Sequence, residues 1–589
     1  MSSLQELASA AREWADADPD PSTAEAWRRF VESANRAELE EALRPLSFGT
    51  AGLRAKVGPG PSRMNEAVVR RAARAVAKAS LQSMAPGRTG TIIVGHDART
   101  TSRDLATIAA RVVVAAGVGT SLFRTPVPTP LVAYAAKRLG ACAAIVITAS
   151  HNPPEYNGMK VYGPDAAPIA DSWEQSLSAH LLESPWANRI PLAPWGREER
   201  AAPWQWLEAD ELLPAYLEEV EGLRNHDGDR APVTIVYTPL HGVGGRFVQR
   251  ALAHAGHDAV HVVSRQFAPD GRFPTLDNPN PEDPSALQMA LELAEERRAA
   301  LVLASDPDAD RLAVCVRDPA GEWRHLSGNE IGILLADDLL ERAGVAKNPL
   351  LVSTIVSTPM VEALAAARGA RAERTLTGFK WLWRAAGELS GGGHYTPALA
   401  FEEAIGFSPG SVVRDKDGMS SAVLIADLAA RAAARGETLL DRLRAIQRDH
   451  GVWVSGAASW VLPGAAGELR IRGLLDDIVG EPPRSLAGHV LSSIRDWRVG
   501  AHERAPWLGA TDLATLEFAQ GRLCVRPSGT EPKLKVYVDW RAEASGDLTA
   551  REACARGVIA QLIDAFAIRC ALPHHPMSER NSPTFSPRG

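Results

Sequence analysis

Residues 143–160 read AAIVITASHNPPEYNGMK, an apolar run that stops abruptly at small residues and continues as a polar loop. The same order of features occurs twice more, as AALVLASDPDADR at residues 299–311 and as ALAFEE at residues 398–403. Short apolar runs of this kind are typical of strands in a largely parallel sheet. In open α/β sheets, ligands gather beyond the carboxyl ends of the strands, so the three loops are candidates for one shared site.

The organisation of the chain predicts several α/β domains. Its 589 residues exceed what one hydrophobic core usually supports. Strand-like runs, such as residues 91–94, alternate with helical patterns, as expected for α/β units. Polar or proline-rich breaks near residues 224–232, 347–349 and 461–467 mark the predicted domain boundaries. The last stretch, residues 573–589, lacks an apolar period and is predicted to be a disordered tail.

Composition excludes several classes of partner. The chain has 64 basic and 71 acidic residues, a net charge of −7, so no global field draws it to nucleic acid or to an anionic membrane. Residues 1–18 are acidic and helix-prone, so no secretory signal is expected there, and no apolar run approaches the ~20 residues of a membrane helix. The cysteines are scattered and lack CxxC spacing, which predicts reduced thiols and a cytoplasmic location. They are Cys142, Cys315, Cys524, Cys554 and Cys570.

Ser150 is the candidate nucleophile of the first loop. It follows a predicted strand, and the rigid turn at Pro153 and Pro154 holds its hydroxyl out where it can react. His151 and Lys160 are nearby candidates for carrying its proton or for binding a phosphate. The alternative is a surface turn stabilised by Ser and Asn, because isolated Ser-His-Asn tripeptides are common.

Asp306, Asp308 and Asp310 alternate along the second loop and are candidate ligands of a hard cation. Mg²⁺ takes oxygen ligands in tight octahedral geometry and is often completed by a phosphate oxygen. Three carboxylates this close would repel one another without a counter-ion, which favours a metal site over a solvated acidic turn. Arg311 follows and offers a planar fork for a phosphate.

Residues 526–533 read RPSGTEPK between two strand-like runs and contain the parts of an anion cradle. The stretch combines hydroxyl groups, a flexible glycine and basic side chains. A hairpin turn with glycine at positive φ is the alternative. The candidate ligands are Arg526, Ser528, Gly529, Thr530, Lys533 and Lys535.

Three further stretches carry weaker signals. TLTGFKW at residues 375–381 and RDKDG at residues 414–418 are, taken alone, more typical of solvated surface than of a site. GVGG at residues 242–245 is a fragment of a nucleotide fingerprint. The full GxGxxG pattern and a P-loop are both missing, so nucleotide binding is not supported.

Taken together and in this order, the motifs resemble the phosphohexomutase superfamily, which includes phosphoglucomutases, phosphomannomutases and phosphopentomutases. The resemblance extends over residues 46–562 and includes FGTAGLR at residues 48–54 and FEEAIGF at residues 401–407. So many matches in the correct order are hard to obtain by chance. DPDADR in place of the commoner DGDGDR, and FEEAIGF in place of GEMSG or GEES, resemble the branch of phosphopentomutases and bacterial phosphoglucomutases.

The resemblance implies an α/β fold with three similar mixed-sheet α/β domains and a smaller C-terminal α+β domain around a central cleft. The fourth domain is expected to be a mobile lid that excludes water. The predicted division is a helical lead-in at residues 1–45, a phosphoserine-loop domain at 46–226, a metal-loop domain at 227–347, a sugar-recognition domain at 348–462, a phosphate-clamp lid at 463–572 and the tail at 573–589.

The resemblance also implies a role for each motif. Ser150 carries the phosphoryl group and binds Mg²⁺ together with Asp306, Asp308 and Asp310. Ala404 stands where many relatives have a serine that touches the sugar, so their hexose selectivity does not carry over. Arg54, His151 and Lys160 are the implied transfer and proton-handling residues, and the implied substrate ligands are Arg311, Thr377, Gly378, Lys380, Glu402, Glu403, Lys416, Arg526, Ser528, Gly529, Thr530 and Lys533.

The expected activity is reversible phosphoryl transfer within a sugar phosphate, from glucose 1-phosphate to glucose 6-phosphate, through a phosphoserine and a sugar 1,6-bisphosphate that also serves as activator. Mannose, ribose or deoxyribose phosphates and a sugar-bisphosphate synthase are alternatives inside the superfamily. A metal-dependent phosphatase and an inactive sugar-phosphate binder are alternatives of another class. The expected partner is a small sugar phosphate, and the protein itself is expected to be a monomer or a homodimer.

Overall fold

The computed structural model describes residues 4–49, 52–85, 87–194, 204–342, 347–528, 533–542 and 547–573, with the backbone of residues 584–585. Four β-sheets follow one another along these residues after three N-terminal helices. We call each sheet with its helices a unit, numbered 1 to 4 in chain order. Within these residues, every helix is too short or too polar to span a bilayer. Most of the tail predicted to be disordered lies outside the described residues.

The N-terminal helices form a layer packed on unit 1. Trp27 is buried, and its indole N–H donates to the carbonyl oxygen of Ala11 at 2.8 Å, which ties the second helix to the first. Gly60 in unit 1 has a φ of +92°, and a Cβ there would lie 2.3 Å from the Trp27 ring, so only glycine allows this contact. The helices are α1 (Leu4–Ala17), α2 (Pro21–Ser33) and α3 (Arg36–Ala42).

Unit 1 is a mixed sheet between two helical layers. Its elements are β1 (Leu53–Lys56), α4 (Glu66–Ser83), β2 (Thr91–His96), α5 (Ser102–Ala115), β3 (Gly119–Phe123), α6 (Thr129–Arg138), β4 (Ala143–Ile147), β5 (Tyr156–Tyr162), α7 (Asp171–Leu182), a 3₁₀ turn (Ala187–Arg189), β6 (Trp204–Leu207) and α8 (Ala209–Glu221). The strand order is β1-β5-β4-β2-β3-β6, parallel from β4 to β6 and antiparallel at β1 and β5. Ile92 and Ile93 enter hydrophobic clusters on opposite faces, as the alternation along a strand requires.

Unit 2 repeats this plan with a sheet that also has six strands, one of them formed by residues 584–585. Its elements are β7 (Ile235–Thr238), α9 (Gly245–His254), β8 (Val260–Val262), α10 (Ser264–Phe267), α11 (Pro284–Arg297), β9 (Leu301–Ser305), β10 (Leu312–Arg317) and β11 (Trp323–His325). Strands β9, β7 and β8 are parallel, whereas β10 and β11 are antiparallel additions at the edge. The two residues Thr584–Phe585 pair with β11.

Unit 3 is a four-stranded sheet with helices. Its elements are α12 (Gly328–Glu341), β12 (Pro349–Thr354), α13 (Met360–Ala367), β13 (Arg371–Thr375), α14 (Phe379–Ser390), a 3₁₀ turn (Gly391–Gly393), β14 (Thr396–Glu402), β15 (Gly406–Pro409), α15 (Gly418–Ala434) and α16 (Leu439–His450). The strand order is β13-β12-β14-β15. β13, β12 and β14 are parallel, and β15 is antiparallel to β14. Units 1 to 3 therefore have the mixed sheets that were predicted.

Unit 4 is the smaller α+β unit that was predicted, with an antiparallel sheet and two helices that share its core. Its elements are β16 (Trp453–Val461), α17 (Gly464–Gly480), β17 (Ser485–Leu486), β18 (His489–Asp496), 3₁₀ turns (Ala501–Glu503 and Pro506–Leu508), β19 (Ala514–Phe518), β20 (Gly521–Pro527), β21 (Lys533–Arg541) and α18 (Leu548–Arg569). The described chain ends with the short strand β22 (Thr584–Phe585) on unit 2.

One loop geometry recurs in units 1 to 3. In each sheet a parallel strand runs into a loop and returns as its antiparallel neighbour: β4 to β5, β9 to β10 and β14 to β15. Each of these loops contains a non-glycine residue in the left-handed region, Ser150 (φ 53°), Ala309 (φ 57°) and Ile405 (φ 52°). The three stretches singled out in the sequence are therefore equivalent strand-end reversals.

Candidate active site

Ser150 lies where unit 1 meets unit 2. Its Oγ donates to Asp306 Oδ2 at 2.8 Å and lies 3.3 Å from His151 Nδ1. The Ser150 backbone N–H donates to Thr148 Oγ1 at 2.9 Å. A serine with positive φ is uncommon, and such backbone conformations cluster at functional sites.

The three aspartates predicted as metal ligands converge. Asp306, Asp308 and Asp310 are fully buried, and each offers an oxygen within 4.8 Å of the others. Asp310 Oδ1 is buried and lacks a hydrogen-bond partner among the described residues. Burial and the charges of Asp310 and Asp308 raise the pKa of Asp306 to about 7. A hard divalent cation would provide a partner for Asp310 Oδ1 and would offset the repulsion among the three carboxylates, so these oxygen donors fit a metal ion.

The metal loop, residues 306–311, folds around its own first carboxylate. Asp306 Oδ1 accepts the backbone N–H groups of Asp310 at 3.1 Å and Arg311 at 3.2 Å. Gly418 of α15 packs on the loop so closely that a Cβ would lie 2.6 Å from the Arg311 carbonyl oxygen. Local hydrogen bonds, the glycine contact and hydrogen bonds donated by the backbone N–H groups of Thr129 and Val243 thus fix the positions of the carboxylates.

Two lysines neutralise part of the acidic cluster. Lys160 on β5 donates to Asp308 Oδ2 at 2.6 Å and to Asp310 Oδ2 at 2.8 Å. Burial disfavours the Lys160 charge, but the charges of Asp308 and Asp310 outweigh it and raise the pKa of Lys160. Lys416 Nζ lies 3.4 Å from Asp310 Oδ2. Although burial works in the other direction, Lys160, Lys416 and Arg311 hold the pKa of Asp310 below its usual range.

Arg54 and His151 line the same place from unit 1. The β1–β5 pairing sets Arg54 opposite Gly158, and Arg54 Nη1 donates to Asn152 Oδ1 at 2.8 Å. Arg54 Nε is buried without a hydrogen-bond partner among the described residues. Burial, together with the charges of Arg311 and Arg54, holds the pKa of His151 well below its usual range.

The third loop joins the metal loop through the backbone. The Leu312 N–H donates to the Ile405 carbonyl oxygen at 3.1 Å, and Arg311 forms a β-bridge with Gly406. This contact brings Glu402 at the end of β14 next to the cluster. Burial raises the pKa of Glu402 to about 7, although the charges of Lys416 and Arg311 oppose the rise.

Unit 4 presents basic residues toward Glu403. Arg526 on β20 lies opposite Lys535 on β21, and the Ser528 N–H donates to the Lys533 carbonyl oxygen at 2.7 Å. Burial raises the pKa of Glu403, and the charges of Lys535 and Arg526 act in the other direction. The remaining predicted clamp residues, Gly529 and Thr530, lie outside the described residues.

The stretch at residues 375–381 lies at the carboxyl end of β13. Thr377 and Gly378 form the turn before α14, and Gly378 has a φ of 113°. The Lys380 ammonium group donates to Glu174 Oε2 of α7 at 2.7 Å, so it links unit 3 to unit 1.

Sequence reasoning missed two buried residues beside Ser150, Asp97 and Arg99. They follow β2, whose core at residues 91–94 was recognised as a strand, and they repeat the pattern of an apolar run ending in polar residues. Asp97 Oδ2 lies 2.8 Å from Thr148 Oγ1, and the Arg99 guanidinium group donates to the Ser150 carbonyl oxygen at 2.7 Å. Ligand-binding residues gather beyond the carboxyl ends of strands, and the apolar run at residues 91–94 could have been treated like the other three. That pattern was the signal in the sequence that could have found Asp97 and Arg99.

Known families and relatives match nearly the whole chain. Domain models of the phosphoglucomutase/phosphomannomutase family match residues 45–187 (alpha/beta/alpha domain I), 214–321 (domain II), 327–448 (domain III) and 503–553 (C-terminal domain). A phosphopentomutase of Homo sapiens is 33% identical over 566 residues, covering 90% of each chain. A phosphoglucomutase of Staphylococcus aureus is 30% identical over 535 residues, covering 89% of this chain and 95% of that protein.

A solved structure extends this likeness to the fold. The open form of a Paramecium phosphoglucomutase, parafusin, superposes with a TM-score of 0.66 at 15% identity, covering 91% of this chain and 97% of that one. Domain models matched in order along the chain, together with relatives at 30% identity or more, identify the family. The chain belongs to the phosphoglucomutase/phosphomannomutase family and is a phosphosugar mutase, an isomerase that transfers a phosphoryl group within its substrate.

Proposed function

We propose that this mutase interconverts glucose 1-phosphate and glucose 6-phosphate through a phosphoserine at position 150 and a glucose 1,6-bisphosphate intermediate. The observation that carries the proposal is the contact between the two strand-end loops. Ser150 Oγ lies 2.8 Å from Asp306 Oδ2, and Lys160 of the same sheet as Ser150 donates to Asp308 and Asp310. A nucleophile, an acidic cluster and a proton-carrying group therefore meet in one place.

Mg²⁺ is the proposed metal ion, held by Asp306, Asp308, Asp310 and the phosphorylated Ser150. When bound, it supplies positive charge that stabilises the oxygens of a transferring phosphoryl group. The orphaned Asp310 Oδ1 and the full burial of the three carboxylates support this assignment.

In the proposed first step, the bond between Ser150 Oγ and phosphorus breaks while a sugar hydroxyl oxygen forms a bond to the same phosphorus. The hydroxyl proton passes to the neutral imidazole of His151, and Ser150 Oγ takes up a proton as it leaves the phosphorus. Lys160, which Asp308 and Asp310 keep in its charged form, is the alternative proton carrier and the proposed donor in this step. Arg54 Nε, buried without a protein partner among the described residues, is the proposed donor to a phosphoryl oxygen.

The other phosphate of the substrate needs a second binding place. We propose that a phosphate clamp in unit 4 holds it. The clamp consists of the basic side chains of Arg526, Lys533 and Lys535, the hydroxyl of Ser528, and Gly529 and Thr530 of the same loop. After the first transfer, the bisphosphate turns end for end, so the phosphate from the clamp reaches Ser150 and is taken back. Glu402 and Glu403 are the proposed ligands of the sugar hydroxyls, and the remaining proposed contacts are Arg311, Thr377, Gly378, Lys380 and Lys416.

A pentose 1-phosphate is the second candidate substrate. The human relative at 33% identity is a phosphopentomutase, while the bacterial phosphoglucomutase is 30% identical. Ala404 offers no hydroxyl to a sugar. The name of the human relative supports a pentose phosphate as the alternative, and Ala404 removes one contact by which relatives recognise a hexose.

The ratio of kcat/KM values on glucose 1-phosphate, mannose 1-phosphate and ribose 1-phosphate, measured with catalytic sugar bisphosphate, tests the assignment. We expect the highest value for glucose 1-phosphate and almost no inorganic phosphate. A higher value for ribose 1-phosphate would make a pentose phosphate the assigned substrate and would leave the phosphoserine mechanism unchanged. Stoichiometric phosphate release would indicate a phosphatase, and turnover that requires an added acyl phosphate would indicate a bisphosphate synthase.

A further inference from the structure

We propose that Arg99 is the positioning residue of the phosphoserine loop, residues 148–155, and sets the direction in which Ser150 presents its phosphoryl group. The inference rests on the proposed role of Ser150 and assigns the control of its geometry. Arg99 lies in the turn after β2, 51 residues before Ser150 in sequence, and its side chain is 2% exposed.

The Arg99 guanidinium group is fully used by the protein. Nη2 donates to the carbonyl oxygens of Ser150 at 2.7 Å and Asn152 at 2.5 Å, and Nη1 donates to those of Pro153 at 2.7 Å and Tyr156 at 2.9 Å. Nε donates to Asp97 Oδ2 at 3.1 Å. Because an arginine side chain has five N–H donors, none is left for a substrate. Arg99 therefore acts through the loop rather than on the reacting atoms.

The carbonyl oxygens bound by Arg99 follow one another around the loop. Loops that lack secondary structure leave such groups without partners, and burial makes an unpaired carbonyl costly. The first carbonyl oxygen bound by Arg99 belongs to Ser150 itself, whose φ of 53° is disfavoured for a residue with a Cβ. Arg99 can bind these carbonyl oxygens only when Ser150 has its left-handed backbone conformation. These hydrogen bonds therefore favour that conformation over the ordinary extended one.

Unit 2 braces Arg99 from the other side. The guanidinium carbon lies 5.1 Å from the centroid of the Phe273 ring. A Cβ on Gly271 would lie 2.3 Å from Arg99 Cα and 2.5 Å from the Ala98 carbonyl oxygen, so the two backbones are in direct contact. The position of the phosphoserine loop thus depends on the interface between units 1 and 2, the same interface that brings the metal loop to Ser150.

Lysine cannot replace this clamp. A lysine ammonium group is a single point with three donors, whereas the acceptors of Arg99 are spread around a planar fork. We therefore expect Arg99→Lys to lower kcat by about 100-fold, the size of effect that a misplaced reacting group produces. KM should change less than about threefold, because the groups that bind the sugar phosphate are untouched.

The test compares Arg99→Lys with Arg224→Lys. Arg224 is also buried, and its guanidinium group is bound by Asp427 at 2.8 Å and by the Ala255 carbonyl oxygen, away from the phosphoserine loop. Steady-state kinetics, Tm and the ³¹P NMR resonance of the resting phosphoenzyme are measured for each protein. The Arg99 variant should show the low kcat and a shifted or broadened phosphoserine resonance, and the Arg224 variant should show only a lower Tm.

If Arg99→Lys does not fold, Gly271→Ala gives the answer, because its added Cβ shifts the backbone of Arg99 away from unit 2 without changing the arginine side chain itself. A lower kcat with an altered ³¹P resonance in that variant supports the inference. A phosphoserine resonance and kcat that stay at wild-type values, or losses that merely follow Tm as in Arg224→Lys, would overturn it. A wild-type enzyme without a phosphoserine resonance would instead overturn the proposed function and this inference with it.

Discussion

The phosphoserine loop and the metal loop connect the same kind of strand pair but keep their shapes by different means. The metal loop has six residues, and Asp306 accepts two backbone N–H groups from its far end. The carbonyl groups of the phosphoserine loop are instead bound by Arg99, which comes from another strand end. Its Asn152 side chain accepts from Arg54 on β1.

The difference follows from loop length and chemistry. Each ordered residue costs roughly 1–2 kcal/mol of conformational entropy, so a longer loop needs more contacts to hold one shape. A short acidic loop carries its own acceptors, whereas a loop with Pro153 and Pro154 has fewer N–H donors of its own to pair with its carbonyl groups. Both loops combine local and tertiary contacts: Thr129 and Val243 donate to the metal loop, and Asn152 donates to Ala149 within the phosphoserine loop. The difference lies in the central acceptor or donor, which is the loop's own Asp306 in one case and the distant Arg99 in the other.

The largest expected effect separates the two loops. Ser150→Ala removes the nucleophile, and we expect kcat to fall by about 10⁴-fold or more in an isomerisation assay. The three carboxylates are untouched, although phosphorylated Ser150 is a proposed fourth ligand, so the rise in Tm on adding Mg²⁺ should be smaller but should persist. Full activity in this variant would exclude a phosphoserine intermediate at position 150. A lost Mg²⁺ response would show that the three carboxylates cannot bind the ion without Ser150.

Asp308→Asn should disturb both loops at once. Asp308 is a metal ligand candidate and also contacts Thr148 Oγ1 and Lys160 Nζ. We expect a loss of about 10²- to 10³-fold in kcat together with a weaker Mg²⁺ response, measured by kinetics and calorimetry. Asp318→Asn, in the turn between β10 and β11, is the control and should leave both unchanged. Treatment of the wild-type enzyme with EDTA should also abolish turnover.

The sequence predicted what lies next to the strand ends. The alternation of elements, the three reversal loops and the carboxylate cluster depend on residues that are neighbours in the chain. Asp306, Asp308 and Asp310 share one loop, so their convergence requires only that the loop turns. The resemblance to a family supplied the order of the units and the pairing of loops from different sheets.

Contacts chosen by tertiary packing could not be read in this way. Arg99 meets a loop 51 residues away, and Glu174 binds Lys380 across 206 residues. Trp507 of unit 4 donates to Glu373 Oε1 at 3.1 Å and docks beside the stretch at residues 375–381. Many arginines, glutamates and tryptophans have the right chemistry, and only the folded geometry selects among them.

Glu402 extends the comparison to the third loop through pH. Its pKa is raised by burial from 4.5 to about 7, so its contribution to stability is fully present below pH 4.5 and is lost as the pH rises through 7. The free energy of unfolding should fall by up to about 1.4 kcal/mol per pH unit between these values. Glu402→Gln cannot titrate there, so denaturant unfolding of the two proteins from pH 4 to pH 8 should show the wild type losing stability relative to the variant. Parallel curves would contradict a buried, titrating Glu402.

The smallest expected effect measures strain in the metal loop itself. Ala309 has a φ of 57° and is fully buried, so Ala309→Gly relieves about 1 kcal/mol of left-handed strain and loses a buried methyl group of similar value. The free energy of unfolding should therefore change by less than about 1 kcal/mol, with kcat within about twofold of wild type. Ala313→Gly on β10 deletes the same methyl group from an equally buried site in a regular strand, where glycine adds an entropic cost and relieves nothing. The difference between the two variants in denaturant unfolding, about 1–2 kcal/mol, is the left-handed strain that the folded metal loop supports. Equal destabilisation would contradict left-handed strain at Ala309, and the metal loop would then differ from the phosphoserine loop in having none to support.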